Sequence, residues 1–207
     1  MKNSITKMSC MMIIMAFLLF ACMGTKLVAD WKDEAYQDRP AKVFVIGVST
    51  ERGPRSLVED EFVRLLKARG TDAVVSYPVL PAEPKPDKDA VLAKVREAGA
   101  DVIMVVRFLR KDMSSGSTPL RRYGVPSGFA SSWDGYYGGT VSDVGVRDIS
   151  YDSDVISMET TLYQTVTGKP IWSGLSQTSY QSGGAIKQIK PFADTIVKEL
   201  AHAKVIR

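Results

Sequence analysis

Few side chains in this 207-residue chain are able to do covalent or proton-transfer chemistry. The chain holds two cysteines, Cys10 and Cys22, and a single histidine, His202, close to its last residue. This shortage argues against serine-histidine-aspartate catalysis, cysteine-histidine catalysis and histidine-rich metal sites. The remaining candidates are the Cys22 thiol, some clustered carboxylates and several arginines, and what each can do depends on the elements that position it.

The surroundings of Cys22 are typical of a secretory signal. Twelve uncharged residues, 10–21, follow a short basic stretch, and the small residue Ala21 stands directly before Cys22. Twelve residues are too few to span a bilayer core of ~30 Å as a helix, which takes about 20. The spacing Leu19-x-Ala21-Cys22 resembles the bacterial lipobox, whose cysteine is acylated and becomes the first mature residue. An ordinary signal peptide cut nearby and an uncleaved anchor are the alternatives.

The lipobox interpretation predicts a membrane anchor. Residues 1–21 would be the signal peptide, and acyl chains on Cys22, palmitate among them, would hold the protein at a membrane. One acyl chain binds only marginally, whereas two or more anchor stably, and a bacterial lipoprotein carries more than one. Met23 follows the cysteine where an aspartate would favour retention in the inner membrane. We therefore expect a location in the bacterial envelope, at the outer membrane and facing the periplasm.

The charge of the mature protein is close to balanced. The whole chain has 27 Lys and Arg against 23 Asp and Glu, and the loss of Lys2 and Lys7 with the signal lowers the formal net charge from +4 to about +2. No cluster of cations suggests nucleic acid as a partner. Since both cysteines lie at the signal, the mature domain has no disulfide and no thiolate metal site. We expect no metal and no cofactor.

Residues 42–207 predict a single α/β domain with α+β character. Residues 22–41 are polar and predict a lipidated tether, along which Trp31 could dock on the domain. The pattern after it alternates short β-branched runs with helical periodicity, which is typical of parallel strands joined by helices. The predicted elements are strands at 43–48, 73–77 and 101–109 and helices at 56–69 and 87–98. The first helix would begin with a capping box of Ser56 and Glu59.

The carboxyl-terminal part predicts a β-hairpin followed by a helix. Residues 152–166 alternate in polarity, Thr167 and Gly168 form a turn, and residues 169–179 run back. A stripe of apolar residues three and four apart then predicts a last helix, kinked or begun at Pro191. The whole domain would hold a mixed sheet of about five strands and three helices in the order β-α-β-α-β-β-β-α.

A Gly/Tyr-rich insert at about 110–150 interrupts this pattern, and a loop of this length is usually functional or disordered. Its aromatic and basic residues are the best candidates for partner contact, because such residues dominate interface hot spots and can meet sugars or lipid phosphates. These residues are Arg121, Arg122, Tyr123, Phe129, Trp133, Tyr136 and Tyr137. The expected partner is an envelope protein, a glycan or a lipid head group.

Several stretches carry a resemblance to a known group of proteins. Asp30-Trp31-Lys32-Asp33 follows the lipobox, Gly99-Ala100-Asp101 leads the third predicted strand, and Thr167-Gly168-Lys169-Pro170-Ile171-Trp172-Ser173 turns the hairpin. Together they resemble small bacterial envelope lipoproteins of unknown function. The resemblance implies an envelope α/β lipoprotein and brings no catalytic residues with it.

Two groups of charged residues near the first predicted helix could bind a ligand or could have ordinary structural roles. Arg52 and Arg55 lie in a turn before a helix, where they could hold a phosphate or a carboxylate, although the spacing is not that of a P-loop. Glu59, Asp60 and Glu61 lie at the predicted first turn, where they suit the helix dipole. A carboxylate-based hydrolase would instead need two of them to face each other.

We therefore expect a lipid-anchored envelope protein that binds or supports a structure and has no catalytic residue. The alternative is a periplasmic hydrolase or ligand-binding enzyme that uses paired carboxylates with raised pKa values, with Asp152 and Asp154 as further members.

Overall fold

The computed structural model describes residues 24–48, 52–81, 87–109, 155–179 and 185–207. Six strands and three α-helices lie within these ranges. The strands are β1 (Thr25–Lys32), β2 (Lys42–Val48), β3 (Asp72–Val75), β4 (Val102–Leu109), β5 (Val155–Gln164) and β6 (Pro170–Ser179). The helices are α1 (Arg52–Ala68), α2 (Lys88–Glu97) and α3 (Ile189–His202), with a 3-10 turn at Ala185–Gln188 before α3.

All six strands join one mixed sheet in the order β1-β6-β5-β4-β2-β3. β2 pairs in parallel with β3 and β4, while β4, β5, β6 and β1 pair antiparallel in succession. The predicted α/β class with α+β character, the mixed sheet, the three helices and the hairpin are confirmed. The sheet has one strand more than expected, and the added strand comes from the amino-terminal side.

The prediction of a tether is wrong for Thr25–Lys32, which forms the edge strand β1. Its burial alternates along the strand, and it pairs with β6 from Thr25 opposite Thr178 to Lys32 opposite Trp172. Lys26, Asp30 and Lys32 place charges along this edge, which is how natural sheets discourage further strands from adding. A strand of this composition looks polar in sequence because only one of its sides is packed.

Helices cover the two faces of the sheet unequally. α1 and α3 pack side by side on one face, where the rings of Phe62 and Phe192 meet edge to face with centroids 5.5 Å apart. The predicted stripe of α3 is buried there, at Ile189, Ala193, Ile196 and Leu200. α2 covers the other face over the parallel strands, with Val91 and Val95 against Phe44, Ile103 and Val105. The main core therefore lies between the sheet and the α1–α3 layer.

The amino-terminal ends of α2 and α3 agree with the local sequence signals, and that of α1 does not. Asp87 caps α2 by accepting the amide of Ala90 at 2.7 Å, as the helix predicted at 87–98 requires. Pro191 is the third residue of α3, within the first turn, where its missing N–H leaves no bond unmade. α1 begins at Arg52 and not at Ser56, so the predicted capping box is wrong.

Gly174 in β6 lies beneath the indole ring of Trp172. A methyl group added at Gly174 would stand 2.2 Å from Cη2 of Trp172 and 3.0 Å from a methyl of Leu27 in β1. Trp172 is completely buried, so its ring has little room to move. The absence of a side chain at Gly174 therefore leaves the space that the indole ring occupies next to Leu27 of the edge strand.

We predict that Gly174→Ala lowers the free energy of unfolding by about 3 kcal/mol, because the added methyl forces a buried ring out of place. Urea titration followed by tryptophan fluorescence measures the change. Gly24→Ala is the matched control, since nothing lies within 4 Å of its added methyl. Equal stability of the two variants would contradict this account of Gly174.

Tyr36 lies between β1 and β2 and joins the main core. Burial, with the negative charges of Asp101 and Asp38, raises the pKa of its phenol from 10.0 to about 12. The unfolded chain therefore loses this proton at a lower pH than the folded one. The stability that neutral Tyr36 contributes is complete below pH 10 and is lost as the pH rises toward 12.

The free energy of unfolding of the native protein should fall as the pH rises from below 10 to near 12. We predict that this fall is about 1 kcal/mol smaller in Tyr36→Phe, a figure reduced for partial exposure of the phenol. Urea unfolding of both proteins below pH 10 and near pH 12 tests it. A difference between the two unfolding free energies that stays constant over this range would refute the assignment to Tyr36.

Candidate functional site

Several bonded polar side chains of the described residues lie at one edge of the sheet, which we call the carboxyl edge. Four strands end at this edge, namely β2 at Val48, β3 at Val75, β4 at Leu109 and β6 at Ser179. Two strands begin there, β1 at Thr25 and β5 at Val155. α1 begins beside this edge, since it follows β2 closely and its Arg55 and Glu59 bond groups at the ends of β2 and β3. In open α/β sheets this is the edge that commonly binds ligands.

The carboxylate of Glu59, in α1, is the most densely bonded group at the carboxyl edge. Its Oε1 accepts hydrogen bonds from Gly47 N (3.0 Å), Arg55 Nε (2.9 Å) and Ser76 Oγ (2.8 Å). Its Oε2 accepts from the amides of Ser76 (2.5 Å) and Tyr77 (3.0 Å). Arg55 Nη2 also donates to Ser76 Oγ at 2.7 Å, which closes the cluster.

This cluster is a structural tie rather than a reactive centre. The side chains of Arg55 and Glu59 are 6% and 0% exposed, and the carboxylate already accepts five hydrogen bonds. It therefore has no free lone pair to offer a substrate. Its partners come from β2, from α1 itself and from the end of β3, so it joins three elements where they meet.

Gly47 allows α1 to approach β2 this closely. A methyl group added there would lie 3.3 Å from the carbonyl oxygen of Arg55 and 3.5 Å from Cγ of Glu59. The glycine thus leaves room for the buried ion pair and presents its amide to Glu59. Gly47 lies in β2, within the strand predicted at 43–48.

The roles predicted for the charged residues of α1 need correction. Arg55 does hold a carboxylate, but it is that of Glu59 in the same helix. The side chain of Arg52 lies outside the described residues. Since α1 begins at Arg52, Glu59, Asp60 and Glu61 lie beyond its first turn, and the helix dipole does not account for them.

Asp60 and Glu61 also have partners of their own. Asp60 accepts a hydrogen bond from the hydroxyl of Tyr77 at 3.2 Å, and its charge raises the pKa of Tyr77. Arg64 donates two bonds to Glu61, at 3.0 and 2.6 Å, which lower the pKa of that carboxyl. A catalytic pair would need a raised pKa instead. Asp152 and Asp154 lie outside the described residues.

A second ion pair lies near the same edge and was not predicted. Arg107 Nε donates to Glu159 Oε2 between the adjacent strands β4 and β5, with the side chains 14% and 6% exposed. Arg107 points away from the α1–α3 layer, since its neighbour Val106 packs into it and side chains alternate along a strand. One signal was available, because Arg107 interrupts the otherwise apolar run of β4.

The residues predicted to contact a membrane or partner lie outside the described ranges. They are Cys22, Arg121, Arg122, Tyr123, Phe129, Trp133, Tyr136 and Tyr137. The described strands nevertheless show where the chain leaves and returns, because β4 ends and β5 begins at the carboxyl edge. Within the described residues, no group of three or more histidines, cysteines or acidic residues is placed to hold a metal ion.

The described part of the chain also contains no helix with the length and apolar character needed to cross a bilayer. Its architecture is an α+β domain with a mixed six-stranded sheet and an unequal cover of helices. This is the class that the fold defines.

Comparison with known proteins gives distant structural likenesses. No protein-family model matches the chain, and no curated protein matches it. The PelC dodecamer from Paraburkholderia phytofirmans is 11% identical with a TM-score of 0.45, over 88% of this chain and 99% of that one. Lipoprotein GNA1162 from Neisseria meningitidis is 11% identical with a TM-score of 0.41, over 79% and 99% of the two chains. Similarity at this level supports no statement about function.

We predict that Glu59→Leu lowers the free energy of unfolding by about 4 kcal/mol, because it leaves Arg55 and three backbone amides buried without their acceptor. Arg55→Met should lower the free energy of unfolding far less in the Glu59→Leu variant than in the native protein. The difference between these two changes is the coupling energy of the pair, which we expect to be about 1–3 kcal/mol. Urea unfolding of the four proteins completes the cycle.

The matched control for this cycle is the exposed pair of Arg64 and Glu61, which is also formed within α1. Its coupling should be below about 1 kcal/mol, since exposed pairs contribute little. Equal couplings for the two pairs would argue against a special structural role for Glu59.

Proposed function

We propose that this chain is a lipid-anchored protein of the bacterial cell envelope that acts by binding rather than by catalysis. The observation that carries the proposal is the sequence around Cys22, where a basic stretch and twelve uncharged residues lead to Leu19-x-Ala21-Cys22. The acylated cysteine would hold the domain at the outer membrane on its periplasmic side, as Met23 in the following position favours.

The state of the carboxylates supports a non-catalytic role. Glu59 is saturated by donors, Asp60 bonds Tyr77, and Glu61 is held by Arg64 with a lowered pKa. The hydrolase alternative requires two facing carboxylates with raised pKa values, and the pKa of Glu61 is lowered instead. Among the described residues of the carboxyl edge, these partners favour a structural role over paired-carboxylate chemistry.

The binding surface, in this proposal, is carried by the insert at about 110–150. Its arginines and aromatic residues suit a protein, a glycan or a lipid head group. Support comes from the strand directions, because the ends of β4 and β5 from which the insert departs lie at the same edge as the start of β1. Anchor and insert would then share one side of the domain.

We predict that Cys22→Ser abolishes incorporation of radiolabelled palmitate in a bacterial host, because the serine hydroxyl does not replace the acylated thiol. Cys10→Ser is the control and should keep the label, since that cysteine is expected to leave with the signal. Mass spectrometry of the purified native protein should show an amino-terminal residue at position 22 that carries lipid. Label retained by Cys22→Ser, or an intact first methionine, would refute the proposal.

A further inference from the structure

We infer that the domain lies directly against the lipid surface, with the carboxyl edge toward the bilayer. The inference rests on the proposed anchor at Cys22 and adds to it an orientation and a contact surface. The partner is the surface of a phospholipid bilayer. A domain at the end of a long tether would have no preferred orientation, so the two arrangements are different physical claims.

The first argument is the length of chain between anchor and fold. Only Met23 and Gly24 separate Cys22 from Thr25, the first residue of β1. Three residue steps extend over about 10 Å at most, whereas the tether expected from sequence would have reached roughly 60 Å. The acylated residue therefore stays within about 10 Å of the point where the sheet begins.

The second argument is that the start of β1 is firmly held. Thr25 pairs with Thr178 of β6, and their side-chain oxygens lie 2.8 Å apart in a hydrogen bond. At the far end of β1, Lys32 Nζ donates to the carbonyl of Ala203 just after α3, at 2.9 Å. Since both ends of β1 are fixed to the domain, a short link to Cys22 restrains the whole sheet and not a loose strand.

The third argument is the chemistry of the surface beside the carboxyl edge. Leu57, near the start of α1, and Val79, in the turn after β3, are among the few large apolar side chains exposed in the described residues, at 44% and 46%. Lys187 and Lys190, at the start of the last helical segment, are also exposed. Exposed apolar residues such as Leu57 and Val79 suit the boundary between head groups and acyl chains.

Charge alone would not hold the domain in this position. Asp60 and Asp87 are also exposed near the same edge, so the lysines do not form a surface of one sign. The orientation therefore depends on the anchor and on Leu57 and Val79, and it should persist in vesicles with few anionic lipids. Of the other two large apolar residues that are exposed in the described ranges, Val28 at 37% lies within β1, and Val166 at 89% lies at the opposite edge, in the turn between β5 and β6.

The test uses the full lipidated protein, reconstituted in phosphatidylcholine vesicles with a minor fraction of phosphatidylglycerol. Leu57→Cys and Val79→Cys are each labelled with bimane, and Val166→Cys is the matched control at the opposite edge. Position 22 should not react, because its sulfur is expected to carry lipid. Replacing the lipids with brominated ones should cause a loss of fluorescence at positions 57 and 79 and none at position 166.

The possible results separate the inference from the proposed function. A protein that fails to float with the vesicles, or that takes up label at position 22, overturns the anchor and the orientation together. A protein that floats but shows equal quenching at all three positions, quenching only at position 166, or none at any, overturns the orientation and leaves the anchor in place.

Discussion

The acceptance of five hydrogen bonds by one buried carboxylate is the constraint on which the parallel half of this fold depends. Glu59 receives the amide of Gly47 at the end of β2, the amides of Ser76 and Tyr77 after β3, and the guanidinium of Arg55 one turn earlier in α1. A charge this deeply buried is tolerated only when its acceptor sites are filled. The hydrogen bonds of Glu59 consequently fix the position of α1 relative to the two strands, and the apolar side chains pack in the arrangement that this position allows.

Much of the fold could be predicted because its signals are local. The apolar runs of β2 and β4 and the stripe of α3 are patterns of burial within a few residues, and the structure bears them out. The strand β5 also forms, but its burial does not follow the alternation in polarity, because residues 156–163 are buried on both sides of the sheet. β1 was missed because an edge strand with charges on it resembles a linker. Its pairing with β6 depends on residues 153 positions apart, which no local pattern reports.

The candidate site was harder to predict for a related reason. Ser56 and Glu59 have the spacing of a capping box, yet Glu59 serves distant groups at Gly47 and Ser76 instead. The partner of Arg107, Glu159, likewise lies on a separate strand. A sequence shows that a charged residue is present but not which remote donor it will meet. The lipidation of Cys22 and the contacts of the insert remain predictions, because those residues lie outside the described ranges.

The position of β1 in the sheet also governs the order in which the fold is completed. A chain made from its amino end contains β1 long before β6, the strand that β1 pairs with, and closing so large a loop is entropically costly. Folds dominated by contacts this far apart in sequence tend to form slowly. For most of its synthesis the polypeptide therefore carries an unpaired first strand, and only the emergence of the final hairpin gives that strand a neighbour. Charged side chains along β1 would help to keep it from pairing with other chains during this interval.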